Sequence, residues 1–331
     1  MSEDGQAAEL EAVAAVLAEP GRRFLVGTHR NPDGDAIGSM LGMARALRAA
    51  GADARAWHAE PASVPEELAF LLAPGEDVAT GVPPDSRELT MVALDCASAH
   101  RLCDEPPGRL AGLVVNVDHH HDNTRFGHIN LVDGAASSTA ELVLRILDRL
   151  GLPLTPEVAE PLYVGLVTDT GRFSYANTTP DAHRAAARLI EAGADATGVY
   201  RRLYEDLPMA RMHLLGRALA RAGAELDGRL VVVTLTLDDL EATGTNDTEG
   251  IVEALRATRG AEVAVLLRQL PGADGFRASL RASSDRVDVS VLARQEGGGG
   301  HRAAAGFTAH RAADDILDDL RRGVAAQLAG G

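Results

Sequence analysis

The chain has 331 residues, 46% hydrophobic and 24% charged, with a formal net charge of −16, values ordinary for a globular protein of about two domains. All 32 fixed cations are Arg and none is Lys, a bias expected from genome base composition. The acidic balance excludes a grip on long duplex nucleic acid, which needs a basic face, and no apolar run reaches the ~18 residues of a membrane span.

The first twenty residues, MSEDGQAAELEAVAAVLAEP, are acidic and helical in pattern and lack the basic start and apolar core of a secretory signal. A cytoplasmic location is expected, with Cys96 and Cys103 as thiols rather than a disulfide. Phe24 to Thr28 reads as a short buried strand. It runs into His29-Arg30-Asn31-Pro32-Asp33-Gly34-Asp35, and a helix pattern from Ala36 to Ala50 follows, closed by Gly51. Met91–Leu94 is a second strand, ending at Asp95, and Leu113–Val117 a third, ending at Asp118. Ser138-Thr139-Ala140-Glu141 opens a helix with capping-box spacing. Thr155-Pro156-Glu157 starts another, which runs to Asp169 and stops at Gly171. Apolar runs alternating with helices predict a parallel sheet, in which ligands collect at the carboxyl ends of strands. Residues 180–222 are helical in pattern with a break at Pro208. Strand patterns return at 230–235, 262–267 and 276–281. The expected organisation is an α/β domain over 1–195, a helical connector over 196–227 and a smaller α/β domain over 228–331.

The polar groups at the strand ends are His29, Asp33, Asp35, Asp95, Asp118 and His119-His120-His121, joined by Asp169 in the last turn of its helix. Oxygen and imidazole donors without thiolate suit Mn²⁺ or Mg²⁺, with Zn²⁺ or Co²⁺ also compatible. Crowded carboxylates repel unless cations neutralise them. Six or more candidates exceed the needs of one ion, and paired ions are the arrangement that clamps both oxygens in phosphoryl hydrolysis. Each motif also has a plain structural use. Asp33-Gly34 fits a turn, Asp35 or Asp95 fits a helix cap, and Gly297–Gly300 fits a linker.

Taken together, HRNPDGDAIGS, VALD, VDHH and DTGRF, in that order, resemble the four motifs of the DHH phosphoesterases. GGGGHRAAAGF (297–307), with Ser279-Leu280-Arg281 upstream, resembles the signature of the DHH-associated substrate-binding domain. Within that superfamily the chain is most similar to the bifunctional nanoRNase/pAp phosphatases. The resemblance implies a second domain facing the metals across a cleft, and two divalent ions, Mn²⁺ with Mg²⁺ or Co²⁺ as alternatives. One would be held by His29, Asp33 and Asp95, and the other by Asp35, Asp95, His119 and Asp169. It also implies that Asp118 orients a histidine and that His120 faces the scissile phosphate. Gly298, Gly299, Gly300, His301 and Arg281 would bind a terminal phosphate; His121 has no role. The expected substrates are short RNA oligonucleotides, linear dinucleotides such as pApA and pGpG, and pAp. An inorganic pyrophosphatase and a catalytically silent nucleotide-binding regulator are the alternatives. The first uses a basic Lys element that this chain lacks, and the second has no need of six metal ligands. The assembly is left open between a monomer and a homodimer.

Overall fold

The computed structural model describes residues 3–60, 64–104, 109, 111–272 and 275–330. The chain divides into two compact units, Met1–Asp206 and Leu207–Gly331. The first unit is built on a six-stranded sheet of β1 (Arg23–Gly27), β2 (Asp53–His58), β3 (Ala79–Thr80), β4 (Leu89–Leu94), β5 (Leu113–Asp118) and β6 (Ile129–Val132). Their order is β3-β2-β1-β4-β5-β6 and every neighbouring pair is parallel. The sheet is covered on both sides. Phe24, Val26, Val92 and Val115 join the larger apolar cluster, while Leu25, Trp57, Met91 and Val114 face a smaller one. Burial on both faces is why the strands read as continuous apolar runs rather than alternating ones. Cys96 and Cys103 are buried and form no disulfide.

Helices α1 (Glu3–Leu17), α2 (Gly34–Ala49), a short α3 (Ala99–Leu102), α4 (Thr139–Leu150), α5 (Pro156–Asp169), α6 (Pro180–Glu191) and α7 (Ala196–Tyr204) complete the unit. The tightest packing is α2 against α5. Gly34, Gly38 and Gly42 recur every four residues, so they share one face of α2. A Cβ built on Gly38 would stand 2.2 Å from the Pro161 carbonyl oxygen, and one on Gly34 2.4 Å from the Thr168 hydroxyl. Across the contact, a Cβ on Gly165 would stand 2.7 Å from Asp35 Oδ1. The two helices touch nearly backbone to backbone, and each carries a carboxylate of the cluster described below.

The second unit contains α8 (Met209–Arg221), β7 (Gly223–Glu225), β8 (Leu230–Leu235), α9 (Leu237–Thr243), α10 (Ile251–Arg256), β9 (Val263–Gln269), β10 (Phe276–Ala282), α11 (Val289–Gln295), β11 (Gly299–Gly300), β12 (Ala304–Ala309) and α12 (Ala313–Gly330). Its sheet order is β11-β12-β10-β9-β8-β7, with β8–β9 parallel and the other pairs antiparallel. Residues 196–227, expected as a connector, are shared between the units. Val199 and Leu203 of α7 are buried in the first unit's core, and Leu214 and Ala218 of α8 pack on β8 and β9. Among the described residues no helix is long and apolar enough to cross a membrane.

Candidate metal centre

The polar residues singled out from the sequence of the first unit converge where β1, β4 and β5 end. The chain leaves β1 through Thr28 and buried His29, whose Nδ1 lies 2.7 Å from the Arg30 carbonyl oxygen. His58 Nε2 lies 3.1 Å from the His29 carbonyl oxygen. Asn31 takes a positive φ of 51°, a conformation asparagine tolerates better than most residues. Asp33 then caps α2. Its Oδ1 accepts the backbone N–H groups of Asp35 and Ala36 at 3.1 and 3.0 Å. The cap is therefore Asp33, not Asp35, because the helix begins at Gly34 and a cap sits one residue outside it, with extended backbone.

Asp35 is thereby left to face inward. Its Oδ2 accepts the Thr139 N–H at 2.6 Å, and its Oδ1 the Ala140 N–H at 2.9 Å and the Ser39 hydroxyl at 3.1 Å. The carboxylate sits on the N-terminus of α4, where exposed N–H groups and the helix dipole favour an anion. Ser138 caps that helix through Glu141 N–H, but the Glu141 carboxylate turns to Ser137 instead of closing a capping box. Asp95 follows β4 with φ 56° and accepts the Thr139 hydroxyl at 3.0 Å. Asp118 Oδ1 accepts from His120 Nδ1 at 2.8 Å, and its other oxygen accepts from Asn123. Asp169 ends α5, and Asn177 Nδ2 donates to its carbonyl at 3.1 Å and to Ser137 O at 2.9 Å.

Between these groups the spacing is too long for direct bonding and suits ions. His29 Nε2 is 3.5 Å from Asp95 Oδ2. His119 Nε2 is 3.4, 3.6 and 3.9 Å from oxygens of Asp169, Asp95 and Asp35. Ligand atoms held ~2.1 Å from one octahedral ion lie ~3.0 Å apart when adjacent and ~4.2 Å when opposite. Two such groups, His29/Asp33/Asp95 and Asp35/His119/Asp169, each keep their ligand atoms within 4.8 Å of one another. The donor set therefore fits two hard-to-borderline divalent cations.

The electrostatics agree. Burial pushes Asp35 well above the usual carboxylate range, and the nearby Asp95 and Asp169 charges add to it. Burial and the Asp95 and Asp33 charges do the same to Asp169. Burial would also raise Asp95, but His29 beside it, with the charges of His120 and His119, holds it below the usual range. All three imidazoles are raised. For each, burial opposes the charged form and is outweighed, for His29 and His119 chiefly by Asp95 and for His120 by Asp118. The charge on these histidines offsets part of the repulsion among the carboxylates. Thr139, Asn123 and Asn177 support the cluster but do not stand out in the sequence. Arg101 is a further one: its charge lies near enough to His29 to oppose protonation there.

In the second unit, Arg281 lies on β10. Its Nε donates to Glu253 at 2.9 Å and its Nη1 to the Leu280 carbonyl at 3.1 Å. The glycine run ends α11 and forms edge strand β11. A Cβ on Gly298 would stand 2.2 Å from the Gly306 oxygen, and Gly300 has φ 136°, so both positions require glycine; Gly299 is open. His301 and Ala304 close the hairpin, N–H to carbonyl, at 2.7 and 3.2 Å.

A parallel sheet with a His–Asp cluster at its strand ends, followed by a GGGGH hairpin unit, defines a DHH-type phosphoesterase architecture. Residues 23–166 match the DHH family, N-terminal domain, and residues 228–326 the DHHA1 domain; the chain belongs to the DHH family. Over 313 residues it is 38% identical to the bifunctional oligoribonuclease and PAP phosphatase NrnA of Thermus thermophilus, covering 92% of this chain and 91% of that protein. Its fold is similar to that of an exopolyphosphatase-related protein from Bacteroides fragilis. The TM-score is 0.83 at 23% identity, over 97% of this chain and 96% of that one. The RecJ of Thermus thermophilus, crystallised with Mn²⁺, shares the fold at a TM-score of 0.53 and 16% identity, over 98% of this chain and 55% of that one.

Proposed function

We propose that the protein is a cytoplasmic, Mn²⁺-dependent phosphoesterase. It hydrolyses short oligoribonucleotides and linear dinucleotides to mononucleotides and removes the 3′-phosphate of pAp. One observation carries the reading: five carboxylates and three imidazoles meet at the ends of β1, β4, β5 and α5 at ligand-to-ligand separations. The identity to an oligoribonuclease and PAP phosphatase over nine-tenths of both chains supports the substrate class.

His29, Asp33 and Asp95 would hold one ion, and Asp35, Asp95, His119 and Asp169 the other, with Asp95 shared. Such ions supply Lewis-acid polarisation of the phosphoryl group and acidify the attacking water. The protein's own part is orientation and proton handling. The Asp118–His120 hydrogen bond fixes the Nδ1–H tautomer and assigns proton exchange to Nε2. The raised pKa of His120 keeps a proton available for the departing oxygen. Arg281, Gly298, Gly299, Gly300 and His301 would receive a terminal phosphate, for which the Arg fork is suited.

The test is product release from pAp, pApA, pGpG, an RNA trimer and pyrophosphate with Mn²⁺. Mononucleotides from the first four and no turnover of pyrophosphate are expected. Turnover of pyrophosphate alone, or of nothing, overturns the reading.

A further inference from the structure

One face of the second sheet carries a charge arrangement that its own fold does not explain. Along β10, Ala278, Leu280 and Ala282 are buried in the core. Arg277, Ser279 and Arg281 therefore point to the opposite face. Register places Arg277 directly across from Arg268 on β9 and Thr308 on β12. Like charges directly opposite each other in a sheet destabilise it. Among the described residues no carboxylate pairs with either arginine. By contrast, Arg217, Arg221, Arg286, Arg311 and Arg321 of the same unit each sit on one. Burial and the Arg277 charge push the Arg268 pKa down, the mark of a cation held in an unfavourable place. In a chain of net charge −16, carboxylates are abundant, and yet none is spent here.

The floor beside the pair is flat. The next cross-strand row is Leu266, Ser279 and Gly306, and the one after it Ala264, Arg281 and Ala304. Leu266 and Ala264 are buried under α8 and α10. Small residues on β10 and β12 thus separate the Arg268/Arg277 pair from Arg281. Four residues of strand set the two arginine positions ~13 Å apart, more than one nucleotide of an extended single strand.

We propose that Arg268 and Arg277 form a second phosphate subsite, which takes a backbone phosphodiester of a single-stranded oligonucleotide beyond the one at Arg281. Two guanidinium forks facing one another can share one phosphate, which removes the repulsion that the bare pair suffers. The proposal rests on the reading of the protein as an oligoribonuclease. Linear dinucleotides such as pApA, and pAp, carry only two phosphates, the one cleaved and the one assigned to Arg281, so they leave none for this subsite, whereas trimers to pentamers do.

The test uses the full-length, Mn²⁺-loaded enzyme and follows kcat/KM for pApA and an RNA pentamer from 50 to 300 mM salt. Arg277→Gln and Arg268→Gln should each lower the pentamer-to-pApA ratio about tenfold. Each should also make the pentamer's log–log salt slope shallower by ~0.7, the single-strand value for one phosphate contact. Arg259→Gln, which removes the same charge at an exposed turn, should do neither. Loss of repulsion should leave the variants at least as heat-stable as wild type, so misfolding is visible as a lowered Tm. Pentamer binding by calorimetry in EDTA separates the two readings. If wild type binds the pentamer with an Arg277-dependent salt slope but cleaves no RNA, the proposed activity fails and the subsite stands. If cleavage is normal and Arg277→Gln changes neither ratio nor slope, or Arg259→Gln changes them equally, the subsite is overturned.

Discussion

Gly38→Ala tests whether the backbone contact between α2 and α5 sets the spacing of the carboxylates. The new Cβ would stand 2.2 Å from the Pro161 carbonyl oxygen. Carbon–oxygen contacts settle at ~3.3 Å or more, so the helices must part by about 1 Å. Neither side of the contact can yield locally, because both are helix backbone. Overpacking of this kind costs ~1–3 kcal/mol, from which alanine's better helix propensity returns up to ~1 kcal/mol. The net cost is at most ~3 kcal/mol, and at ~2–4 °C per kcal/mol for a unit of this size a fall of up to about 12 °C in Tm is expected. The larger effect is catalytic. Asp35 rides on α2 and Asp169 on α5, and a 1 Å misplacement of reacting groups costs on the order of 10²-fold. Phosphate release from pAp, measured well below Tm with saturating Mn²⁺, should fall by about that factor. Gly42→Ala meets only the movable end of Leu162 and should cost less. Gly216→Ala, in α8 with nothing within 4 Å, should stabilise the protein. A Gly38→Ala enzyme with wild-type Tm and kcat would refute the reasoning.

Asp95→Ala should abolish turnover in a protein that stays folded, since the proposed bridge serves both ions; full metal content with near-normal kcat would end the shared-ligand scheme. Arg281→Ala should lower kcat/KM for pAp by roughly 10²-fold, the loss of a charge-assisted phosphate contact of ~2–3 kcal/mol. A nitrophenyl phosphodiester without a terminal phosphate should be affected far less; equal slowing of both contradicts the assignment. In metal-free protein, Asp35 and Asp169 have raised pKa values, so their stabilising protonation is complete below ~pH 4 and is lost as pH rises through those values. The raised His29, His119 and His120 lose theirs above ~pH 6.5, while lowered Asp95 and Asp118 penalise only stronger acid. The Tm in EDTA should therefore fall from pH 5 to 8, and the added stabilisation by Mn²⁺ should widen over the same range; scanning calorimetry showing a constant gap would count against ion binding at these groups.

Much of this arrangement is legible in the sequence because it is local. Strand ends at Asp95 and Asp118 are visible as apolar runs stopping at a charge, and α4 announces itself through Ser138. The short β2, β3 and β6 are harder to see, since Ala54, Arg55 and Ala56 carry no strand pattern and β3 is two residues long. The sequence offers Asp35 as the cap of α2 and Asp33-Gly34 as a turn, whereas the helix begins at Gly34, ahead of the apolar pattern from Ala36, so the cap is Asp33. The long-range partners were out of view altogether. Thr139 lies 44 residues from the Asp95 it contacts and 104 from Asp35. Asn177 joins Ser137 to Asp169 from a loop. The glycines of α2 look like a permissive stretch until α5 is placed against them.

The carboxylates of the cluster are not waiting for metal to be held. Asp33 and Asp35 rest on backbone N–H groups, and Asp118 is clamped by His120 and Asn123. Two of the six proposed ligands are thus fastened by the same bonds that start two helices. A zinc finger acquires its shape and its ion in one event; here the bonds that hold these carboxylates belong to the fold itself, so an ion bound among them would come and go without the chain unfolding.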